Sequence, residues 1–596
     1  MTTSFEPGKV VLSKMLERVG EGSVQLPDFQ RGWVWSDDHI LSLLASVSMS
    51  YPIGAVMMLG SGNKDVRFNL RPLEGADPPA GAKVEELLLD GQQRLTSLFQ
   101  AIASGKPVKT RDSRDNEILR WYYVDIAKAL NPNVDREEAF FSVPEDRMVR
   151  NFRREVIQGK DYSTPEKERE AGVFPLSLLF DTMGMMHWAM EFLNVAPDNN
   201  VIWKDFSETI IKAFAQYQIP VISLGWQTPK EAVCQVFEKV NTGGVSLTVF
   251  ELLTATYAAE DYQLREEWFG TAKEKGIEQR LKQHKVLKSL ENTDFLQAVT
   301  LLATHAVRQA QVKSGTAAQD ASAISCKRRD ILKLRLEDFK QYAPVVERGF
   351  VGAAQLLHNQ KVFTTDELPY RTQLVPLAAA MAMLGDKADE LPVKDKLVQW
   401  YWCGVFGELY ASATETRFAK DFPELLDWVA GGEEPSTVKE ATFNAQRLDT
   451  LRTRNSAAYK GVYALLMRDG AEDFRTGQPA TEQAYFEQKI DIHHIFPQDW
   501  CIGQKIERDR YNSVINKTPL TATTNRRIGG KAPSVYLKGL QGDQITEARM
   551  DEILRSHVID VEVMRADDFD AFYAARKASL LKRIENAMKK QVVYTE

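Results

Sequence analysis

The spacing of apolar and polar residues predicts a mixed α/β arrangement in the first quarter of the chain. Strand-like runs cover residues 23–35, 55–59, 119–126 and 139–143. After Ser36, a typical helix N-cap residue, apolar side chains recur at helical spacing. Residues 84–89 have a strand pattern, Asp90 and Gly91 a turn pattern, and residues 92–104 a helical pattern. The chain therefore predicts a strand–turn–helix unit around Asp90.

Helical periodicity replaces the strand pattern between about residues 228 and 430. Its most apolar stretch, residues 374–384, is well short of the ~20 residues that a membrane-spanning helix needs, so we predict a buried helix. The segment 431–438 is rich in Gly, Glu and Pro and indicates a domain boundary. We therefore expect a multidomain α+β protein with three parts: an α/β domain (1–255), a helical region (256–430) and a mostly helical C-terminal domain (431–596).

Composition excludes several classes of protein. Of the 596 residues, 44% are hydrophobic and 26% are charged, which is typical of folded domains and not of disordered or fibrous chains. The four cysteines lie far apart without a CxxC pair, which argues against a thiolate zinc site and favours a reducing, cytoplasmic compartment. The first residues lack a signal-peptide pattern, so we expect no membrane partner. The net charge of −7 argues mildly against a protein that coats nucleic acid.

Polar residues near the C-terminus have the composition of a nuclease site. Asp491, His493 and His494 lie within four residues, and Asn525 follows His494 by 31 residues. Hydrolysis of a phosphodiester needs an activated water and a cation whose ligands leave positions open, and imidazoles with an amide oxygen can supply both. Neighbouring strand residues point to opposite faces, so both histidines serve one site only if the strand ends or bulges there, and Pro497 is consistent with either. The alternative is two ordinary strand residues, one buried and one exposed.

Basic side chains are concentrated around these residues. Residues 501–540 contain eight basic and two acidic side chains, a surplus of six positive charges that leaves −13 for the rest of the chain. Such a strip can follow a phosphate backbone, and the alternative is a solvated surface. We predict that double-stranded DNA is contacted by Lys517, Arg526, Arg527 and Lys531.

A second candidate site lies at the turn of the predicted strand–turn–helix unit. Free backbone N–H groups at a helix N-terminus attract anions, and Arg94 can add a fork of donors to the same phosphate. Asp90 can hold a cation or orient a water. Arg31 lies close in sequence to Trp33 and Trp35, whose rings can stack a base. The alternative is that Asp90 only caps the helix and that Arg94 is a surface residue.

The pattern DxHHIxPQ at residues 491–498, followed by NK at 516–517 and NR at 525–526, resembles the ββα-metal fold of HNH endonucleases. The resemblance implies that His494 is the general base and that His493 and Asn525 hold a divalent metal, Mg²⁺ or Mn²⁺. It further implies that Asn516, part of the catalytic motif, braces the loop between the strands. Asp491 is expected to hold the metal ligands in position without binding the metal itself. Many members have Asp as the first ligand, so His493 tilts the metal preference toward softer ions.

The motifs LPDFQRGWVW, YPIG and LLLDGQQR, with VFEKVNTGG at residues 236–244, resemble the N-terminal half of GmrSD type IV restriction endonucleases. This resemblance implies a ParB/sulfiredoxin-like fold that binds and hydrolyses a nucleoside triphosphate. The residues carried over to that site are Arg31, Asp90, Gly91, Gln92, Gln93, Arg94, Asn241 and Thr242. For Asn241 and Thr242, a helix C-cap followed by a turn is an equally good interpretation.

Together the resemblances predict a metal-dependent DNA endonuclease of a bacterial anti-phage restriction system. GTP or ATP bound by the N-terminal domain is expected to regulate cleavage or the sensing of modified DNA. Two alternatives stay open: a ParB-like DNA-binding regulator whose HNH unit binds but does not cut, and a repair or homing nuclease without nucleotide control. A homo-oligomer is compatible with each of them.

Overall fold

The chain divides into two compact units, Met1–Tyr262 and Gln263–Glu596. The computed structural model describes residues 5–28, 30, 32–33, 35–63, 67–112, 116–151, 155–229, 232–233, 248–412, 414–453, 455–479, 490–541 and 545–594. The boundary that we predict near residue 431 falls inside the second unit, so this finer division stays a prediction.

Strands of the first unit form a six-stranded mixed sheet and two smaller sheets. The strands are β1 (Phe5–Val11), β2 (Val24–Pro27), β3 (Val56–Gly60), β4 (Leu70–Arg71), β5 (Glu86–Asp90), β6 (Val108–Arg111), β7 (Glu117–Asp125), β8 (Phe140–Pro144), β9 (Met148–Arg150), β10 (Val156–Asp161), β11 (Val173–Pro175) and β12 (Gln218–Leu224). The large sheet has the order β1-β12-β3-β5-β2-β4. Its β12–β3 and β2–β5 pairs are parallel, and the other pairs are antiparallel. In a second sheet β7 pairs with β6, β8 and β11, while β9 pairs with β10.

Helices surround these sheets and make up most of the second unit. Those of the first unit are Leu12–Glu21, Asp37–Ser48, Gln92–Ile102, Ile126–Leu130, Arg136–Ala139, Pro165–Glu170, Thr182–Val195, Asn199–Phe206, Lys212–Gln216 and Val249–Ala258. Those of the second unit are Leu264–Phe269, Ile277–Leu281, Asn292–Lys313, Arg328–Ile331, Leu336–Asn359, Leu374–Leu384, Leu391–Phe406, Thr414–Val429, Ser436–Glu440, Arg447–Thr450, Ala457–Arg468, Gln498–Gly503, Arg508–Tyr511, Ala522–Ile528, Pro533–Leu540, Glu547–Ser556, Val561–Arg565 and Phe569–Met588. The mixed sheet followed by a mostly helical region confirms the predicted α+β class.

The predicted strand–turn–helix unit is confirmed. Strand β5 ends at Asp90, and the helix Gln92–Ile102 begins two residues later. Gly91 joins them at φ 93°, a left-handed conformation that glycine adopts without a steric penalty. The side chains of Leu95, Leu98 and Ile102 are buried in the core of the first unit, which orients the helix against the large sheet. The residues of the DGQQR motif are therefore held on a rigid connection.

The strand predicted over residues 23–35 is too long. Strand β2 covers only Val24–Pro27, and the described residues between it and Ser36 lie outside any strand. The N–H of Asp28 still donates to the carbonyl of Asn69 at 2.9 Å, but the hydrogen bonds of Trp33 involve side chains. The backbone N–H of Trp33 donates to Oε1 of Glu74 at 3.0 Å, and the indole N–H donates to Ser97 at 2.9 Å. The alternating apolar pattern thus reflects tryptophan rings that pack on the core edge from a loop.

A two-stranded hairpin lies within the helical second unit. Strand β13 (Ile490–His494) pairs antiparallel with β14 (Lys517–Thr521), with His493 opposite Thr518 and His494 opposite Lys517. The helix Ala522–Ile528 starts directly after β14 and contacts both strands.

Candidate functional site

The hairpin and the helix that contacts both of its strands carry the predicted nuclease residues. Strand β13 ends at His494, so both histidines lie at the strand end. Asn525 lies on the helix Ala522–Ile528, whose first turn is capped by Thr521 Oγ1 accepting from the N–H of Thr524 at 3.2 Å. The packing of this helix on the hairpin means that the candidate residues come from rigid elements in contact with each other.

His494 is held by one specific hydrogen bond. Its Nε2 lies 3.0 Å from Oδ1 of Asn512, and its ring meets the ring of Tyr511 edge-on, with 6.3 Å between centroids. Burial lowers the pKa of His494, the Asn512 hydrogen bond opposes this, and the charges of Lys517 and His493 lower it further. The ring is therefore neutral near pH 7. When Nε2–H donates to Asn512, the neutral ring keeps Nδ1 as a proton acceptor.

Asn516 braces the turn that follows His494, in the role that the HNH resemblance implies. Its side chain is fully buried: Oδ1 accepts from the N–H of Phe496 at 2.9 Å, and Nδ2 donates to the carbonyls of Phe496 and Tyr511. The hydroxyl of Tyr536 donates to the carbonyl of Ile495 at 2.8 Å. Asn516 is thus a buried brace for the turn that follows His494.

The sequence did not reveal that Asp473 holds the helix that carries Asn525. Oδ2 of Asp473 accepts from the N–H of Thr521 at 2.9 Å, and Oδ1 accepts from the hydroxyl of Thr524 at 2.7 Å. Burial raises the pKa of this carboxyl, but the hydrogen bonds from Thr524, Thr521 and Arg475 outweigh burial and lower it. Asp473 therefore stays ionised and fixes the helix start.

The two predicted metal ligands are carried by β13 and by the helix that packs against it. His493 is half-buried on β13, and Asn525 is half-buried on the helix; within the described residues its amide makes no hydrogen bond. An amide oxygen suits Mg²⁺ or Mn²⁺, an imidazole nitrogen favours softer ions, and two such ligands leave positions for water and phosphate. The described part of the chain contains no group of three or more His, Cys, Asp or Glu side chains that faces one point. The side chain of Asp491 lies outside the described residues.

The basic residues of the strip differ in their surroundings. Arg526, Arg527 and Lys531 are exposed and lie near Asn525 in the chain, and among the described residues Arg526 bonds only within its own helix. Lys517 donates to the carbonyl of Arg452 at 2.9 Å. Its ammonium also lies 5.7 Å from the ring centre of Tyr459. Lys517 therefore also contacts its own unit, and its contact with DNA stays a prediction.

In the N-terminal unit, Arg94 braces the chain before β3. Its guanidinium donates to the carbonyls of Ile53 at 2.5 Å and Ala55 at 3.1 Å and pairs with Asp90 at 3.3 Å. Arg94 is therefore not a plain surface residue, and part of the donor fork that we assigned to a phosphate is already used. The helix N-cap is Gly91, so the alternative in which Asp90 is the cap is wrong.

The remaining residues of the DGQQR motif are only partly exposed. Gln92 is buried, and Nε2 of Gln93 donates to the carbonyl of Gly32 at 3.3 Å. Arg31, Asn241 and Thr242 lie outside the described residues.

Comparison with known proteins finds a family match within the first unit. Residues 12–258 match the model of the family described as GmrSD restriction endonuclease, N-terminal domain. The match indicates a restriction endonuclease function. The chain is also 26% identical over 615 residues to the uncharacterized protein MJ0686 of Methanocaldococcus jannaschii, with 96% of this chain and 98% of that protein covered. This second alignment runs through both units.

Among the described residues, no helix combines the length and the apolar character that crossing a membrane requires.

Proposed function

We propose that this protein is a metal-dependent endonuclease that hydrolyses DNA phosphodiesters in an anti-phage restriction system of the cytoplasm. The observation that carries the proposal is the placement of His494 at the end of β13, fixed through Nε2 by Asn512, beside the helix that presents Asn525. This arrangement of two strands and a helix supports the HNH interpretation of the motif.

His494 acts as the general base in this proposal. Because Nε2 is committed to Asn512, Nδ1 accepts the proton of the attacking water, and burial keeps the ring neutral and ready to accept it. His493 and Asn525 are the residues that would hold a divalent cation. Such a cation, when bound, supplies charge stabilisation to the phosphate and to the leaving oxygen. The exposed Arg526, Arg527 and Lys531 bind the phosphate backbone.

The N-terminal unit is proposed to bind GTP or ATP in a ParB/sulfiredoxin-like fold. Asp90 to Gln93, with Arg31, Asn241 and Thr242, supply the nucleotide contacts, and Arg94 holds the motif in shape. The family match of residues 12–258 supports the assignment of this unit to restriction. Nucleotide turnover there would regulate cleavage by the second unit or the sensing of modified DNA, in a monomer or a homo-oligomer.

A plasmid cleavage assay tests the nuclease proposal. The protein is incubated with modified and unmodified DNA, with Mg²⁺, Mn²⁺ or EDTA, and with or without GTP or ATP. We expect cleavage that needs the metal, that is lost in His494→Ala, and that survives in the matched control His284→Ala elsewhere in the same unit. If a folded His494→Ala protein cuts as well as the parent, the assignment is wrong. DNA binding without cleavage under every condition would instead support the regulator alternative.

A further inference from the structure

A cavity of about 400 Å³ opens on the N-terminal unit beside the helix Gln92–Ile102. Its volume lies in the range of about 300–1,000 Å³ that is usual for small-molecule sites. The lining combines two indoles, three cationic and two acidic side chains and several small polar groups: Trp33, Trp35, Glu74, Gly75, Gln100, Ser104, Lys106, Pro107, Lys109, Thr110, Arg111 and Glu117.

Both tryptophans are fixed in place and partly exposed. Trp33 is held by Ser97 through its indole N–H and by Glu74 through its backbone N–H. The carbonyl of Trp35 accepts from the hydroxyl of Thr110 at 2.7 Å. Both rings pack against the core of the unit, are partly exposed and line the cavity, and the Trp35 ring also lies tilted against the imidazole of His39, with 5.6 Å between centroids. An aromatic ring already held by its neighbours loses little conformational freedom on stacking, so the two rings are prepared stacking partners for a planar ligand.

The rim of the cavity carries cationic side chains that can bind a phosphate. Lys106 pairs with Asp77 at 2.6 Å and Lys109 pairs with Glu117 at 2.9 Å, and all four side chains are more than half exposed. Ion pairs as exposed as these contribute little to stability, so exchange of a carboxylate for a phosphate is not opposed by the fold. Arg111 adds a third cation on the same rim.

The helix beside the cavity connects it to the DGQQR motif. Gln93, Ser97 and Gln100 recur at intervals of three or four residues on the helix Gln92–Ile102 and therefore share one helix face, and Ser104 follows just after the helix ends. Gln93 bonds to Gly32, Ser97 bonds to Trp33, and Gln100 and Ser104 line the cavity. This helix face thus runs from the DGQQR motif to the cavity.

We propose that this cavity binds a nucleobase, which stacks on Trp33 and Trp35 while its phosphate is held by Lys106, Lys109 and Arg111. The proposal rests on the proposed function, since it places the base of a nucleotide that the N-terminal unit recognises. The nucleotide is either a free nucleoside triphosphate or a nucleotide extruded from DNA, because both present the same base and phosphate.

Direct binding measurements with the full-length protein in EDTA test this proposal. The ligands are GTP, ATP, a duplex with a single-base bulge of 2-aminopurine, and the same duplex fully paired. Titration calorimetry reports the triphosphates, and 2-aminopurine fluorescence reports stacking of the bulged base. We expect Trp35→Ala to weaken binding about tenfold or more and Trp35→Phe to recover most of it. Lys109→Glu should weaken binding and reduce its dependence on salt.

Trp226→Ala is the matched control, because Trp226 is 47% exposed on the same unit and does not line the cavity. Triphosphate binding that depends on Trp35 identifies the free nucleotide as the ligand, and preference for the bulged duplex identifies an extruded base. If no ligand binds, or if Trp35→Ala, Lys109→Glu and Trp226→Ala all bind like the parent, the proposal is overturned. Because no cleavage is measured, that result would leave the nuclease assignment of His494 untouched.

Discussion

Nε2 of His494 lies 3.0 Å from Oδ1 of Asn512, and this hydrogen bond links the proposed general base to the segment between β13 and β14, 18 residues further along the chain. A hydrogen bond to one ring nitrogen fixes both the orientation of an imidazole and the nitrogen that carries its proton. Asn512 therefore decides which nitrogen of the neutral His494 ring carries the proton.

Substitution of Asn512 should slow cleavage without unfolding the protein. We expect Asn512→Ala to lower kcat about 10- to 100-fold, because His494 loses its fixed tautomer and orientation. Asn512→Asp keeps an acceptor oxygen at the same position and should retain most of the activity. The measurement is single-turnover cleavage of plasmid DNA at saturating metal. Equal losses in the Ala and Asp variants would show that Asn512 acts only by packing.

The C-terminal helix should be required for the shape of the nuclease site. Arg576 is fully buried, and within the described residues no carboxylate pairs with it. It donates to the carbonyl of Ile515, to that of Lys517 at 2.9 Å and to that of His557 at 3.2 Å. Two of these carbonyls flank Asn516, which braces the turn after His494. The guanidinium therefore holds the start of β14 in place through these backbone carbonyls.

Arg576→Met should lower the melting temperature by roughly 5 °C or more, since buried carbonyls left without a donor each cost about 1–3 kcal/mol. Arg576→Lys should lower the melting temperature less, because a lysine ammonium can still donate to some of these carbonyls. Lys582→Met on the same helix is the control, since that side chain is 66% exposed. Thermal unfolding of the three variants is the measurement. A loss in Lys582→Met as large as in Arg576→Met would contradict the argument.

Local patterns in the sequence are sufficient to predict part of this structure. The helix after Ser36, the unit around Gly91 and the end of β13 at His494 all follow from residues close together in the chain. Each is specified by apolar periodicity or by a turn residue that acts within a few positions. The same is true of Asn516, whose place in the motif predicts its bracing role.

The residues that sequence reasoning missed act over long distances. Asp473 bonds to residues 48 and 51 positions away, and Arg576 bonds to carbonyls 59 and 61 positions away. Bonds of these kinds leave no periodic pattern, since any residue can supply a backbone carbonyl or N–H. The bracing contacts of Arg94 were missed for the same reason, because the carbonyls of Ile53 and Ala55 to which it donates belong to a segment about 40 residues upstream.

The bracing role of Arg94 makes a second prediction about stability. Gly54 has φ +91°, and a Cβ there would lie 2.1 Å from Nη1 of Arg94. Gly62 has φ +88°, but a Cβ there would meet nothing within 4 Å. Gly54→Ala should therefore lose more free energy of unfolding than Gly62→Ala, which reports the backbone strain alone.

A double-mutant cycle identifies the cause of that difference. In the Arg94→Ala background the clash is absent, so Gly54→Ala and Gly62→Ala should differ by less. Chemical unfolding of the variants gives the free energies. If the two glycine substitutions cost the same in the parent, Arg94 does not hold this segment.

The buried imidazole of His557 should make the protein less stable at acid pH. Burial lowers the pKa of His557 from 6.5 to about 4, although the hydrogen bond to the carbonyl of Glu472 raises it. Nδ1 lies 2.5 Å from the hydroxyl of Thr518, opposite His493 in the hairpin, and Nε2 lies 2.6 Å from the Glu472 carbonyl oxygen. Both nitrogens are used by the neutral ring, with one donor and one acceptor, so protonation would turn the acceptor into a donor.

The sign of the pH effect follows from these two pKa values. Below pH 6.5 His557 becomes protonated in the unfolded chain, whereas in the folded protein it stays neutral down to about pH 4. The free energy of unfolding therefore decreases as the pH falls through this window. At about 1.4 kcal/mol per pKa unit, the loss reaches roughly 3 kcal/mol, and above pH 6.5 His557 contributes no pH dependence. His557→Gln keeps an acceptor and a donor without a titrating group. Its melting temperature should start lower at pH 7 and then fall less between pH 6.5 and 4 than that of the parent. Parallel curves for the two proteins would mean that other groups cause the acid loss.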